Sequence, residues 1–192
     1  MLNLIKQLRD ETQSSFSDCK KALEEAKGDI DKARKILSSY SQSIAAKKSA
    51  RTIKEGIIES YIHPNKKIGV LLELGCETDF VARNADFQDL AHNLVLHITA
   101  MAPQYVSSDQ IPNEIMEAQK AVYKEEFESS SKPTDIVDKI IEGKLDKYYS
   151  EICLLDQSYV KDQDITVRDF INEFIAKIGE NIVVGRFIRY QL

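Results

Sequence analysis

Residues 67–81 read KIGVLLELGCETDFV, and a change of period inside them decides the fold. Ile68, Val70, Leu72, Leu74 and Cys76 share one face, with Lys67, Gly69, Glu73, Gly75 and Glu77 on the other. This alternation marks a half-buried β-strand. Beyond it the apolar positions Phe80, Phe87, Leu90, Ala91, Leu94, Val95, Ile98 and Met101 follow a helical period. They predict one long helix running from Asp79 to just before Pro103. Thr78 or Asp79 suits the N-cap, where a side-chain oxygen accepts an unpaired N–H of the first turn. Thr78-Asp79-Phe80-Val81 is therefore a corner between strand and helix. On an ideal helix Phe80 and Phe87 differ by about 20°, so periodicity alone puts Phe80 in the buried stripe and makes Asp79 a cap.

Working outward, residues 57–62 pair as a hairpin with residues 68–76 across His63-Pro64-Asn65-Lys66, where proline and asparagine supply turn chemistry. Three short helices open the chain. The first carries Leu2, Leu4, Ile5 and Leu8. The second follows Ser15, with Asp18 at capping-box spacing, carries Cys19, Ala22, Leu23 and Ala26, and ends at Gly28. Asp29 caps the third, whose face is Ile30, Ala33, Ile36 and Leu37. The serine-rich residues 38–43 read as a boundary, and residues 45–51 as a basic helical connector. Further helices are expected over 113–128 and 133–149, the latter with Pro133 at its first position and a bend or break near Gly143. Thr166 with Asp169 opens another, carrying Val167, Phe170, Ile171, Phe174, Ile175 and Ile178 before Gly179. Residues 182–190 are β-branched and aromatic, hence a strand. Strands before and after a set of helices give an α+β fold, a small antiparallel sheet packed with helices on one face.

The chemistry that is missing narrows the function. Acidic residues outnumber basic ones by 31 to 26, a balance of −5, which argues against a protein that grips nucleic-acid backbones. No apolar run approaches the roughly 20 residues of a membrane span, and the first residues resemble no secretory signal, so a cytoplasmic location is expected. Seven glycines are scattered with no two closer than six positions. That leaves no phosphate-cradling loop and no nucleotide bound by this chain itself. His92 and His97 are five apart, away from the i, i+4 spacing of paired metal ligands, so no metal is expected. Serine occurs in no nucleophile elbow. Cys19, Cys76 and Cys153 are few and dispersed, which fits structural thiols in a reducing compartment. Nothing suggests a cofactor or covalent catalysis.

Several ordered motifs together resemble one family, bacterial elongation factor Ts. Leu8-Arg9 with Thr12, then Asp18-Cys19-Lys20-Lys21-Ala22-Leu23 and Gly28-Asp29-Ile30, look like its N-terminal module. Thr78-Asp79-Phe80-Val81-Ala82 resembles its signature. Ala176-Lys177-Ile178-Gly179-Glu180-Asn181 and Arg186-Phe187-Ile188-Arg189-Tyr190 are similar to its C-terminal pattern. The length resembles the short form, with one core subdomain. The resemblance implies a ubiquitin-associated-like three-helix module over 1–39, a connector over 40–55 and a core and dimerisation domain over 56–192. It implies a guanine-nucleotide exchange factor, without covalent chemistry, that promotes GDP release from elongation factor Tu. Thr78, Asp79, Phe80 and Val81 would then dislodge the Mg²⁺ bound by Tu, with Lys20, Phe16, Ile178 and Gly179 as further contacts to it.

The chain also departs from the family pattern. Gln13-Ser14-Ser15-Phe16-Ser17 precede Asp18 where glycines and a bulky apolar pair are usual, which leaves Phe16 as the apolar contact. Gly185 stands where arginine is common, and Ser158-Tyr159 where Pro-Phe is usual. A single core copy implies a homodimer, and the C-terminal strand has no cysteine, so the pair would rest on packing. The competing reading is an adaptor or dimeric scaffold that uses the three-helix module to bind another protein. Such an adaptor needs no exposed aromatic at position 80.

Overall fold

The computed structural model describes residues 1–12, 14–127 and 133–192. Gln13 and Glu128, both invoked above, lie outside the described residues. The contacts divide the chain into two compact units, Met1–Thr99 with Arg168–Leu192, and Ala100–Val167.

The first unit opens with α1 (Leu2–Thr12), α2 (Phe16–Glu25) and α3 (Ile30–Lys48). Their caps are those the sequence predicts. Ser15 Oγ accepts from the Asp18 amide at 3.1 Å, and Asp29 Oδ1 accepts from the Lys32 amide at 3.1 Å. Gly28 takes the left-handed conformation, φ 85°, that a closed helix end requires. Ile5, Leu8, Cys19, Ala22, Leu23, Ala26, Ala33 and Leu37 form the small core between the three helices. The serine-rich stretch is no break, because α3 continues through it to Lys48. Ser39 turns its hydroxyl back onto the Lys35 carbonyl, and Ser41 is small enough to be buried. Serine disfavours a helix only where its hydroxyl competes for the backbone, and here that competition is absorbed within the helix.

Next comes the sheet. β1 (Glu55–Ile62) pairs antiparallel with β2 (Ile68–Cys76), which pairs antiparallel with β5 (Val183–Gln191), giving the order β1-β2-β5. The hairpin turn places Lys66 at φ 57°, with the Asn65 carboxamide oxygen taking the Lys67 amide at 2.9 Å. Val70, Leu72, Leu74 and Cys76 are buried on the inner face, as their alternation predicts. The helix α5 (Ala85–Met101) lies across that face. His92 Nδ1 is 3.2 Å from Glu59 Oε1 on β1, and the Arg189 guanidinium of β5 donates to the Thr99 carbonyl. The helix α8 (Val167–Ile178) is tied to α5 by an ion pair of 3.0 Å between Lys177 and Asp86.

A further expectation about this unit fails, and it matters most for function. The long helix predicted from Asp79 is two helices, a single turn α4 (Asp79–Ala82) and then α5. Asn84 causes the break. Its side chain takes the Asp86 amide at 2.8 Å, so it starts a new helix instead of continuing the old one.

The second unit contains α6 (Asn113–Glu125), α7 (Thr134–Ile152) and a short hairpin of β3 (Ser158–Tyr159) with β4 (Asp162–Thr166). The sequence reading did not anticipate that hairpin, since a two-residue strand carries no periodicity and the five residues of β4, DQDIT, show no apolar alternation. The helix α6 ends at Glu125. Pro133 is the N-cap of α7 rather than its first residue, and α7 runs unbroken through Gly143. One glycine costs a helix only about 1 kcal/mol, which 19 residues absorb. Lys144 pairs with Glu126 and lies over the rings of Tyr123 and Phe127, joining α7 to α6 and the residues just beyond it. Ile111, Ile152 and Cys153 form one buried cluster of this unit.

Candidate functional site at the strand-to-helix corner

The strand β2 runs between two partners, so its end is a rigid base, and the corner grows from it. Thr78 caps α4 in an extended conformation, accepting from the Val81 amide at 3.4 Å. Val81 and Ala82 turn inward and are buried. Asp79 pairs with Arg83 one turn on, at 2.9 Å, on an open surface. Phe80 points away from the protein and is 81% exposed, whereas Phe87 is fully buried. The stripe reading that buries Phe80 is thereby corrected. It assumes one continuous helix, and the break at Asn84 gives α4 its own phase.

Two glutamates hold the corner from outside. Glu180, in the turn between α8 and β5, accepts from the amides of Glu77 and Thr78 at 3.1 and 3.0 Å and from the Thr78 hydroxyl at 2.7 Å. Glu77 in return accepts from the Asn181 amide at 2.6 Å and pairs with Arg51 at 3.4 Å. The Asn181 carboxamide, buried, donates to the carbonyls of Ser49 and Arg51. Cys76, whose thiol burial pushes up to about 11, stays protonated and donates to the Thr78 carbonyl at 3.2 Å. Sequence reasoning passed over Glu77, Glu180 and Asn181 as functional groups, because their pairing joins segments about 100 residues apart.

The Asn181 amide, aided by Arg51, holds the Glu77 carboxyl below its ordinary value near 4.5, against the opposing effect of desolvation. A carboxyl depressed in the fold contributes stability that is full above its unfolded pKa and is lost as pH falls through its folded pKa. The stability gap between wild type and Glu77→Gln should therefore be constant near pH 7 and shrink below about pH 4.5. Urea midpoints for the two proteins across that range test this, and a gap independent of pH would contradict it.

The other predicted contacts are dispersed. Ile178 ends α8, and Gly179 follows at φ 90° as its C′ residue, so both lead directly into Glu180. Phe16 is the first residue of α2, half exposed, and Lys20 lies one turn further on in an exposed pair with Glu24 at 3.7 Å. Cys19 is fully buried and burial raises its pKa, as suits a structural thiol. Among the described residues no cluster of three or more His, Cys, Asp or Glu is placed to hold a metal, and no helix is long and apolar enough to cross a membrane.

The family resemblance read from the sequence motifs is matched along the whole chain by comparison with known proteins. The elongation factor Ts family model matches residues 2–192. The chain belongs to the elongation factor Ts family. It is 51% identical over 191 residues to the elongation factor Ts of Thermotoga petrophila, covering 100% of this chain and 95% of that one. It is 49% identical over 189 residues to that of Fervidobacterium nodosum, covering 98% and 96%. With the elongation factor Ts of Thermosipho melanesiensis the identity is 50% over 187 residues, covering 97% and 95%. Membership places the chain among the translation elongation factors.

Proposed function

We propose that the protein is a guanine-nucleotide exchange factor that binds elongation factor Tu·GDP in the cytoplasm and promotes GDP release. The observation that carries this reading is Phe80, presented to solvent at a corner built from rigid parts. An exposed large aromatic costs free energy in the unbound protein and is repaid on a partner, where aromatic anchors dominate binding energy. An adaptor working through its three-helix module needs no such residue there.

In this reading residues 1–39 dock on the nucleotide-binding domain of Tu, with Phe16 and Lys20 in contact, and residues 40–55 connect them to the core. Asp79 and Phe80 enter beside the nucleotide pocket and dislodge its Mg²⁺, while Thr78 and Val81 hold them and Ile178-Gly179 support the approach. Mg²⁺ demands near-ideal octahedral geometry and bridges phosphate oxygens, so a small displacement of its surroundings weakens GDP strongly. The Asp79–Arg83 pair is exposed, and exposed pairs are worth only about 0–1 kcal/mol, so Asp79 is released cheaply. Linkage requires that GDP weaken binding of this factor to Tu by the same ratio. The chain needs no nucleotide, metal or covalent step of its own. Release of a fluorescent GDP from Tu tests the reading, and release unaccelerated by the wild-type protein would end it.

We also propose that the protein is a homodimer joined through the outer face of its sheet. Ile62, Gly69 and Tyr190 lie in one row across the three strands, and Ser60, Leu71 and Ile188 in the next. The third row is Ile58, Glu73 and Arg186, with Glu73 and Arg186 paired at 2.9 Å. Ile58, Ile62, Leu71, Ile188 and Tyr190 are all exposed. Contiguous exposed apolar groups rimmed by polar ones mark interaction surfaces, and a second copy satisfies the same face on both partners. Light scattering at about tens of micromolar is expected to give a dimer for wild type and a monomer for Leu71→Glu. A wild-type monomer would refute the dimer.

A further inference from the structure

We infer that Glu180 is a positioning residue for nucleotide exchange, holding Phe80 in its working position through the backbone of Glu77 and Thr78; this rests on the reading of Phe80 as the working tip. The argument begins with the size of α4. Four residues make too few internal hydrogen bonds to offset the cost of nucleating a helix. With its side chain 81% exposed, Phe80 also has little packing of its own to fix it. Its place is set by Val81 and Ala82, buried beneath the turn, and by the turn's two ends. On the far side Asn84 starts α5. On the near side β2 has ended at Cys76, and the Glu180 carboxylate takes the next two amides on one oxygen and the Thr78 hydroxyl on the other.

That last bond has a consequence for α4. A hydroxyl that donates to Glu180 has its lone pairs free, and one of them accepts the Val81 amide that caps the turn. Charge-assisted bonds of this kind are short and geometrically demanding. Glu77 returns the exchange by taking the Asn181 amide, so each segment supplies a carboxylate to the other's backbone. Arg51 and the carbonyls of Ser49 and Arg51 join the same network, which brings in the segment following α3. Without Glu180 the turn frays and Phe80 spreads over many positions. The protein still docks, but it pushes on Tu less effectively once bound.

The test measures GDP release from elongation factor Tu over a range of factor concentrations for wild type, Phe80→Ala, Glu180→Ala, Glu180→Gln and the double variant Phe80→Ala/Glu180→Ala. Glu180→Ala should lower the maximal rate about tenfold, within the usual range of coupling between sites, with the half-saturating concentration moving less than about threefold. Glu180→Gln should recover most of the rate, since its carbonyl oxygen still accepts both amides. The double variant should be no slower than Phe80→Ala alone. Amide exchange at Glu77 and Thr78 should quicken in Glu180→Ala. A wild-type maximal rate for a folded Glu180→Ala, or losses that multiply in the double variant, would overturn the inference. If Glu180→Ala does not fold, Glu180→Asp takes its place, keeping the charge but shortening the reach; a wild-type maximal rate there would also overturn it. A Phe80→Ala protein that releases GDP as fast as wild type would instead sink the reading of the tip itself.

Discussion

Replacing Phe80 by alanine is expected to cut the acceleration of GDP release from elongation factor Tu by about 30-fold, the loss typical of truncating an aromatic anchor worth about 2 kcal/mol. The stability of the free protein should stay within about 0.5 kcal/mol of wild type. These two expectations belong together. Phe80 is 81% exposed, so its ring gives the fold almost nothing, and nothing collapses when it is removed. Phe87, seven residues on, is fully buried and serves only the core. A large loss of exchange with an unchanged urea midpoint would separate work done on a partner from work done for the fold. Equal acceleration by a well-folded Phe80→Ala would remove Phe80 from the mechanism of release.

The largest effect on stability is expected from Gly56→Ala, at about 3 kcal/mol, the upper range for forcing atoms into filled space. Gly56 on β1 faces Gly75 on β2. A Cβ at position 56 would sit 2.4 Å from the Leu74 carbonyl oxygen and 2.9 Å from the Gly75 Cα. Both are backbone atoms in a paired strand, so no side chain can swing aside. The strands must separate at the end of the hairpin that leads to the corner. A fall in the urea midpoint, accompanied by slower exchange, is the expected result. A Gly56→Ala protein as stable as wild type would show that this end of the hairpin tolerates separation.

The three strands of the main sheet and the caps of α2 and α3 were legible because each is a local pattern. The alternation in 68–76 reports one buried face, and Ser15, Asp29 and Gly28 act within a single turn. The corner could be located the same way, since the period changes at Thr78. The conformation of Phe80 was not legible from period alone. Helical phase carries across a segment only while the helix is unbroken, and one side-chain oxygen on Asn84 ends it. The serines of α3 misled in the opposite direction. Their composition suggests a boundary, yet the helix continues through them to the buried Ala45. The glutamate latch was hidden for a different reason. Glu77 and Glu180 look like two of many surface carboxylates until the fold sets each against the other's backbone.

The central claim is that this corner loosens GDP on elongation factor Tu. The most direct measurement is the release rate of a fluorescent GDP from Tu at saturating factor, for wild type and Phe80→Ala side by side. Strong acceleration by wild type and little by Phe80→Ala is the predicted result. Release no faster with the wild-type protein than without it would contradict the account.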